Sequence, residues 1–246
     1  MPPVRTVIAT RYVTPLREGG SLPGLVEADD DGLYVLKFRG AGQGPKALAA
    51  ELVAGEVARE LGLPVPELVF AELDPALGAA EPDPEIQDLI AASGGRNLGM
   101  DFLPGALPFT PQRPPEPALA ADVVWFDAFV LNVDRTPRNP NLLRWHHDLW
   151  LIDHGAALYV HHAAADPIAR AADRFAAIRD HVLLPFAGSI AAADARLAPR
   201  IDRGKLEAIA AELPDGWGDP EAYAGHLAAR LEAREGFVEE AENARG

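Results

Sequence analysis

The sequence predicts an α+β fold in two lobes. A small β-rich N-terminal lobe occupies residues 1–106, a mainly helical C-terminal lobe occupies 118–246, and a link at 107–117 joins them. Three observations carry this. Strand-period alternation and Gly-rich turns fall almost entirely in the first part. LPFTPQRPPEP, the link, is Pro-rich and has no periodicity. Beyond it, Ala- and Leu-rich segments run at helical spacing, interrupted by one short hairpin.

The elements follow in order. REGGSLPG (17–24) is a Gly-rich turn, and LVEADDDGLYVLKF (25–38) is two strands about a DDDG turn. In the second strand Tyr34, Leu36 and Phe38 share one face, and Val35, Lys37 and Arg39 share the other. RGAGQGPK (39–46) is a loop, and 46–62 is a helix closed by Gly62 and Pro64. Strands at 65–73 and 96–105 flank a loop with a short helix. After the link, helices are predicted at 119–131, 166–183, 188–197, 203–212 and 219–242, and NLLRWHHDLWLID (141–153) is a hairpin of two short apolar strands.

Composition excludes several classes. The 246 residues suffice for a substantial core, and with 48% hydrophobic and 24% charged residues the chain is an ordinary globular one. There is no Cys, so thiol chemistry, Cys-ligated zinc and disulfides are out. A net charge of −15 argues against nucleic acid as a partner. No stretch reaches the roughly 18 apolar residues of a membrane span, and MPPVRTVIATRYV lacks a signal-peptide core. The expected location is cytoplasmic, with no membrane association. Lys occurs only at 37, 46 and 205, so a Lys inside a strand asks for a reason.

Chemistry concentrates at NVDRTPRNPNLL (132–143) and at Asp153. With His146, His147 and Asp148 as the turn, Trp145 faces Leu149, and counting back places Asn141 opposite Asp153. Directly opposed residues lie about 5 Å apart at Cβ. An amide oxygen and a carboxylate there suit Mg²⁺, which takes one or two protein ligands and fills its shell with water and phosphate. Asp134 sits just before, placed to meet a hydroxyl. In the 46–62 helix, Glu56, Arg59 and Glu60 mark a polar face, while Glu51 falls among Ala54, Gly55 and Ala58. A carboxylate on a packed face needs a cation, and Lys37 is the candidate. A solvated Glu51 on the helix rim is the competing reading.

The order of these parts is that of a protein-kinase-like phosphoryl-transfer site. EGGSLPG, GLYVLKFRGAGQGPKALAAELVAGEVARELGLPVPE, DAFVLNVDRTPRNPNLL and LIDHGAAL resemble the HipA-like kinases, a branch of the protein-kinase-like fold related to the phosphatidylinositol kinases. The resemblance spans residues 14 to 160. It implies ATP and Mg²⁺ as cofactors, Asp134 as the catalytic aspartate, Lys37 on the phosphates and Glu51 as its helix partner. Gly19, Gly20 and Ser21 match the phosphate-covering loop, and Met100, Asp101, Phe102 and Leu103 match the hinge that receives adenine. Asp153 matches the metal aspartate, here in Asp-His-Gly with His154 where many kinases carry Phe. Spacing favours Asn139 as the metal asparagine, whereas hairpin geometry favours Asn141. The chain's length points away from the toxin role of long-form relatives.

The expected acceptor is a Ser or Thr hydroxyl of a protein. Kinases of sugars, antibiotics and inositol-type alcohols share these motifs, so a small-molecule acceptor is the alternative. A third reading, a nucleotide-binding pseudokinase, is opposed by the presence of Lys37, Asp134 and Asp153. The sequence leaves a regulatory protein partner open. Asp127, one helical face before Asp134, braces the catalytic loop or caps a buried polar group. Arg135 and Arg138 contact phosphate or substrate, or balance local acids. His146, His147, His161 and His162 are read as turn and loop surface, and Trp125, Phe126 and Phe129 as core.

Overall fold

In LYVLK, Tyr34 and Leu36 are buried while Val35 and Lys37 are only partly so, which is the alternation expected of a strand with one face inside. The computed structural model describes residues 2–16, 22–42, 44–163 and 166–246. Its N-terminal part is a five-stranded closed barrel in the order β1 (Thr6–Pro15), β2 (Gly24–Ala28), β3 (Leu33–Lys37), β5 (Gly95–Asp101), β4 (Leu68–Leu73). Neighbours are antiparallel except β1 and β4, whose parallel pairing closes the barrel. Val26, Tyr34, Leu36, Phe38, Val69 and Ala71 fill it, together with Ile86 and Ile90 of α2 (Pro84–Ala92).

α1 (Gly44–Glu60) packs on the outside of this barrel and is buried without a break from Leu48 to Ala58. It belongs to a second, larger core that continues into the C-terminal half. Gly55 permits the close approach, since a Cβ there would lie 2.6 Å from Leu68 Cδ1. The polar face predicted for this helix is corrected here. Glu56 is fully buried, pairs with Arg59 at 2.8 Å, and its carboxyl is pushed up by burial. Both sides of α1 meet protein, so there is little room for a solvated stripe.

The C-terminal half is built around α3 (Pro117–Phe129), buried from Val123 to Phe129. Trp125 stacks on Phe129 and meets Phe237 edge-on. A three-stranded sheet follows, β6 (Leu107–Pro108), β7 (Leu142–Trp145) and β8 (Asp148–Leu151), so the first residues of the Pro-rich link pair with the hairpin. After it come α4 (Val160–Ala163), α5 (Ile190–Leu197), α6 (Arg203–Ala210), α7 (Pro220–Glu232) and α8 (Glu235–Arg245). Among the described residues, no helix is long and apolar enough to cross a membrane.

Two predicted helices are different in the structure. Residues 166–183 form short 3₁₀ turns, Ile168–Arg170 and Ala176–Asp180, with Phe175 left-handed at φ 61°. The backbone is diverted by Arg230, fully buried on α7, which donates to the carbonyls of Ala171 and Asp173 and also to those of Ala128 and Phe129 at the end of α3. The predicted 219–242 helix breaks at Ala233 and Arg234, because α7 packs on α6 while α8 turns to pack on α3 and α5.

Candidate functional site

β3 carries Lys37 out of the barrel toward α1. Its Nζ lies 2.6 Å from Glu51 Oε2 and 2.5 Å from Asp153 Oδ1. The Glu51 side chain is 1% exposed, that of Lys37 12% and that of Asp153 41%. Glu51 therefore lies in the packed face and not on a solvated rim. Burial alone would raise its carboxyl, but the Lys37 ammonium and His154 together outweigh this and hold it down at about 2. His154 Nδ1 lies 3.7 Å from Glu51 Oε1. Lys37 is likewise raised by the two carboxylates against the effect of burial. The His154 ring is buried edge-on against Phe126 of α3.

The loop after α3 builds the other half of the site. Asn132 Oδ1 accepts from the Asp134 backbone N–H, and Thr136 and Asn139 exchange backbone hydrogen bonds of 3.1 Å, closing a tight turn. Asp134 Oδ2 accepts from Asn139 Nδ2 at 2.7 Å and from Asn141 Nδ2 at 3.4 Å. Asn141 Nδ2 also lies 3.5 Å from the Asp153 carbonyl. Asn139 is exposed and Asn141 half-buried. Both asparagines thus reach Asp134, and Asn141 also reaches the Asp153 strand end.

The predicted hairpin register is off by one residue. His146 and His147 both take positive φ, 47° and 75°, and form a two-residue turn. Trp145 therefore pairs with Asp148 and Leu142 with Leu151. Asn141 stands opposite Ile152, whose N–H donates to the Asn141 carbonyl at 3.1 Å. The Asn141 amide reaches the Asp153 backbone carbonyl instead, and both residues take left-handed backbone, φ 47° and 56°. Asn and Asp tolerate that conformation better than most residues.

Beneath the loop lies a buried polar cluster that the sequence reading only partly anticipated. Asp127 accepts from Arg135 Nε at 2.6 Å and from Asn132 Nδ2 at 2.9 Å, and contacts His181 Nε2 at 2.8 Å. Because His181 Nδ1 accepts from the Leu183 N–H, Nε2 is its proton-bearing nitrogen and donates to Asp127. Burial would raise the Asp127 carboxyl, yet Arg135 and His181 hold it well below the usual range. Arg135 is fully buried and so is not a phosphate contact, while Arg138 is exposed on the turn. His181 and Asn132 were missed: no local spacing marks a His 54 residues from its Asp. His161 is also not simple surface, since it stacks on Tyr223 at 3.9 Å. His146 and His147 are exposed.

The hinge segment shows which backbone groups are spoken for. Met100 pairs with Val35 and Leu68, the Asp101 N–H donates to Glu67 O, and the Phe102 N–H donates to Leu33 O. The side chains of Met100 and Leu103 are buried. Gly19, Gly20 and Ser21 lie outside the described residues. Among the described residues no three His, Asp or Glu side chains converge as a metal cage.

A family model described as HipA-like kinase matches residues 9–218. Solved structures with the same fold include the Helicobacter pylori proinflammatory kinase CtkA, at 15% identity and a TM-score of 0.58, with 99% of this chain and 98% of that one covered. The Golgi casein kinase with Mn/ADP bound matches at 11% identity and a TM-score of 0.54, covering 98% of this chain and 74% of that one. A second structure of the Golgi casein kinase gives 0.53 at 11% identity, covering 98% and 72%. Among curated proteins, none matches the chain.

Proposed function

Since the chain belongs to the HipA-like kinase family, and is thereby a phosphotransferase, we propose that it transfers the γ-phosphoryl group of ATP, with Mg²⁺, to a Ser or Thr hydroxyl of a protein. The observation that carries this is Lys37 held between Glu51 and Asp153 beside an Asp134 carboxylate fixed by two amides. A protein acceptor is supported by a structural neighbour whose name is a casein kinase, and a divalent ion with nucleotide by its Mn/ADP complex.

The residues present fit the metal. Asp153 offers an accessible carboxylate, and the Asn139 and Asn141 side chains, with Nδ2 turned to Asp134, keep an amide oxygen free to coordinate. These are hard oxygen donors, few in number, as Mg²⁺ prefers. Asn141 is the better ligand of the two, because its amide also lies 3.5 Å from the Asp153 backbone carbonyl, whereas Asn139 is exposed on the turn. When bound, the ion would supply positive charge to the phosphates. Lys37 neutralises phosphate charge, and Glu51 keeps it aimed. Asp134 orients the acceptor hydroxyl and takes its proton. Adenine is received along Met100–Leu103. The Asp101 and Phe102 N–H groups are already committed and the Leu103 carbonyl accepts from Ala106, which leaves recognition to the Leu103 N–H.

The two aspartates test this. Asp153→Asn weakens both Mg·ATP binding and turnover. Asp134→Asn leaves Mg·ATP affinity nearly intact and lowers turnover about 10²-fold or more. Calorimetry beside transfer of labelled phosphate to protein in a host lysate reads both effects. Equal loss of affinity in both variants removes Asp134 from its role. Label found only on small molecules moves the acceptor to that class.

A further inference from the structure

Arg135 is a fully buried cation next in sequence to the proposed catalytic aspartate, and its guanidinium is turned into the C-terminal core. Its guanidinium is used on two sides. Nε and Nη2 fork onto Asp127, at 2.6 and 3.4 Å. Nη1 donates to the carbonyls of Asn141 and Ile152, the latter at 3.3 Å. Those two carbonyls bracket the hairpin. The Asn141 carbonyl lies in the peptide plane that follows Asn141, and the Ile152 carbonyl lies in the plane that precedes Asp153. Fixing them fixes ψ of Asn141 and φ of Asp153, the two residues held in left-handed conformation. Left-handed backbone is disfavoured for residues with a side chain, less so for Asn and Asp, and fixed carbonyls on either side hold both residues in it.

The guanidinium is itself held. Asp127 sits on α3 in the C-terminal core, and His181 and Asn132 occupy its remaining lone pairs. Val182 N–H donates to the Arg135 carbonyl at 3.0 Å, so the segment that brings His181 also ties down the Arg135 backbone. A path of direct hydrogen bonds therefore runs from His181 through Asp127 and Arg135 to both ends of the metal hairpin.

We infer that Arg135, anchored by Asp127 and His181, is a positioning residue that sets the spacing of the Asn141 and Asp153 side chains and thereby the affinity of the site for its divalent ion. This rests on the kinase reading above. Loss of groups that orient metal ligands typically weakens metal binding about 10–100-fold. A merely structural role lowers stability and leaves the metal requirement of the folded fraction unchanged.

The test uses Arg135→Lys, which keeps the charge but loses the fork, and His181→Leu beside His181→Gln, which restores a donor toward Asp127. ATP affinity is measured by calorimetry on the whole chain against Mg²⁺ concentration, and hydrogen exchange of the 141–153 amides is followed without metal. In Arg135→Lys and His181→Leu, the Mg²⁺ needed for half-maximal ATP binding rises about tenfold. ATP affinity at saturating Mg²⁺ returns to within about twofold of wild type. The Ile152 amide exchanges faster, and His181→Gln recovers most of both effects. Folded variants with an unchanged Mg²⁺ requirement overturn the inference and leave the kinase reading standing. Wild-type protein that binds no Mg·ATP overturns the kinase reading, and the inference with it.

Discussion

Replacing Lys37 by Met removes the cation from between two carboxylates, and the structure says which of them decides the outcome. Asp153 is 41% exposed, so its pairing is screened and contributes little to stability. Glu51 is 1% exposed and is held at about 2 against an ordinary 4.5. Removing one partner of such a buried pair costs roughly 3–5 kcal/mol, because the other charge is left in the core without a counterion. Lys37→Met should therefore lower unfolding free energy by about 3 kcal/mol in urea melts at pH 7. Adding Glu51→Gln should restore most of this, since a neutral amide no longer needs a cation. The pH dependence follows the same sign. Because the folded pKa of Glu51 is depressed, its contribution is complete above about 4.5 and is lost as pH falls through about 2, so the gap between wild type and Lys37→Met narrows over that window. A Lys37→Met protein as stable as wild type, or a double variant no better than the single one, refutes the buried-pair account. Nucleotide affinity should fall in both variants, because the ammonium proposed to meet the phosphates is gone.

Two further outcomes are expected. Asn141→Ala should raise the Mg²⁺ concentration needed for turnover several-fold while Asn139→Ala shifts it less, as read from turnover against Mg²⁺; the reverse order would assign the metal to Asn139. Arg230→Leu strands carbonyls of Ala128, Phe129, Ala171 and Asp173 in the core and should cost at least about 3 kcal/mol in chemical denaturation, with Mg·ATP affinity of the folded fraction unchanged.

Much of the site was legible because its signals are local. Period-two alternation put Lys37 on the face opposite Tyr34 and Leu36, and helical spacing put Glu51 among small residues, so the pair followed from two neighbouring elements. Chain order then suggested a phosphoryl-transfer arrangement around Asp134 and Asp153, and the family match over 9–218 shows a kinase. What needed the fold is of another kind. The hairpin register turned on whether His146 and His147 accept positive φ, a turn geometry that composition did not mark, and one residue of slip moved Asn141 from Asp153 to Ile152. The 166–183 segment has helical composition, yet Arg230, contributed by a helix some fifty residues on, claims two of its carbonyls, and local propensity is too weak to resist. Glu56 looked solvated because a helical wheel shows which residues share a face but not what covers that face. Asp127 and His181 are 54 residues apart, and only packing of the chain on itself makes them a pair. Periodicity reports the faces of single elements, whereas buried polar partners are chosen by which elements meet.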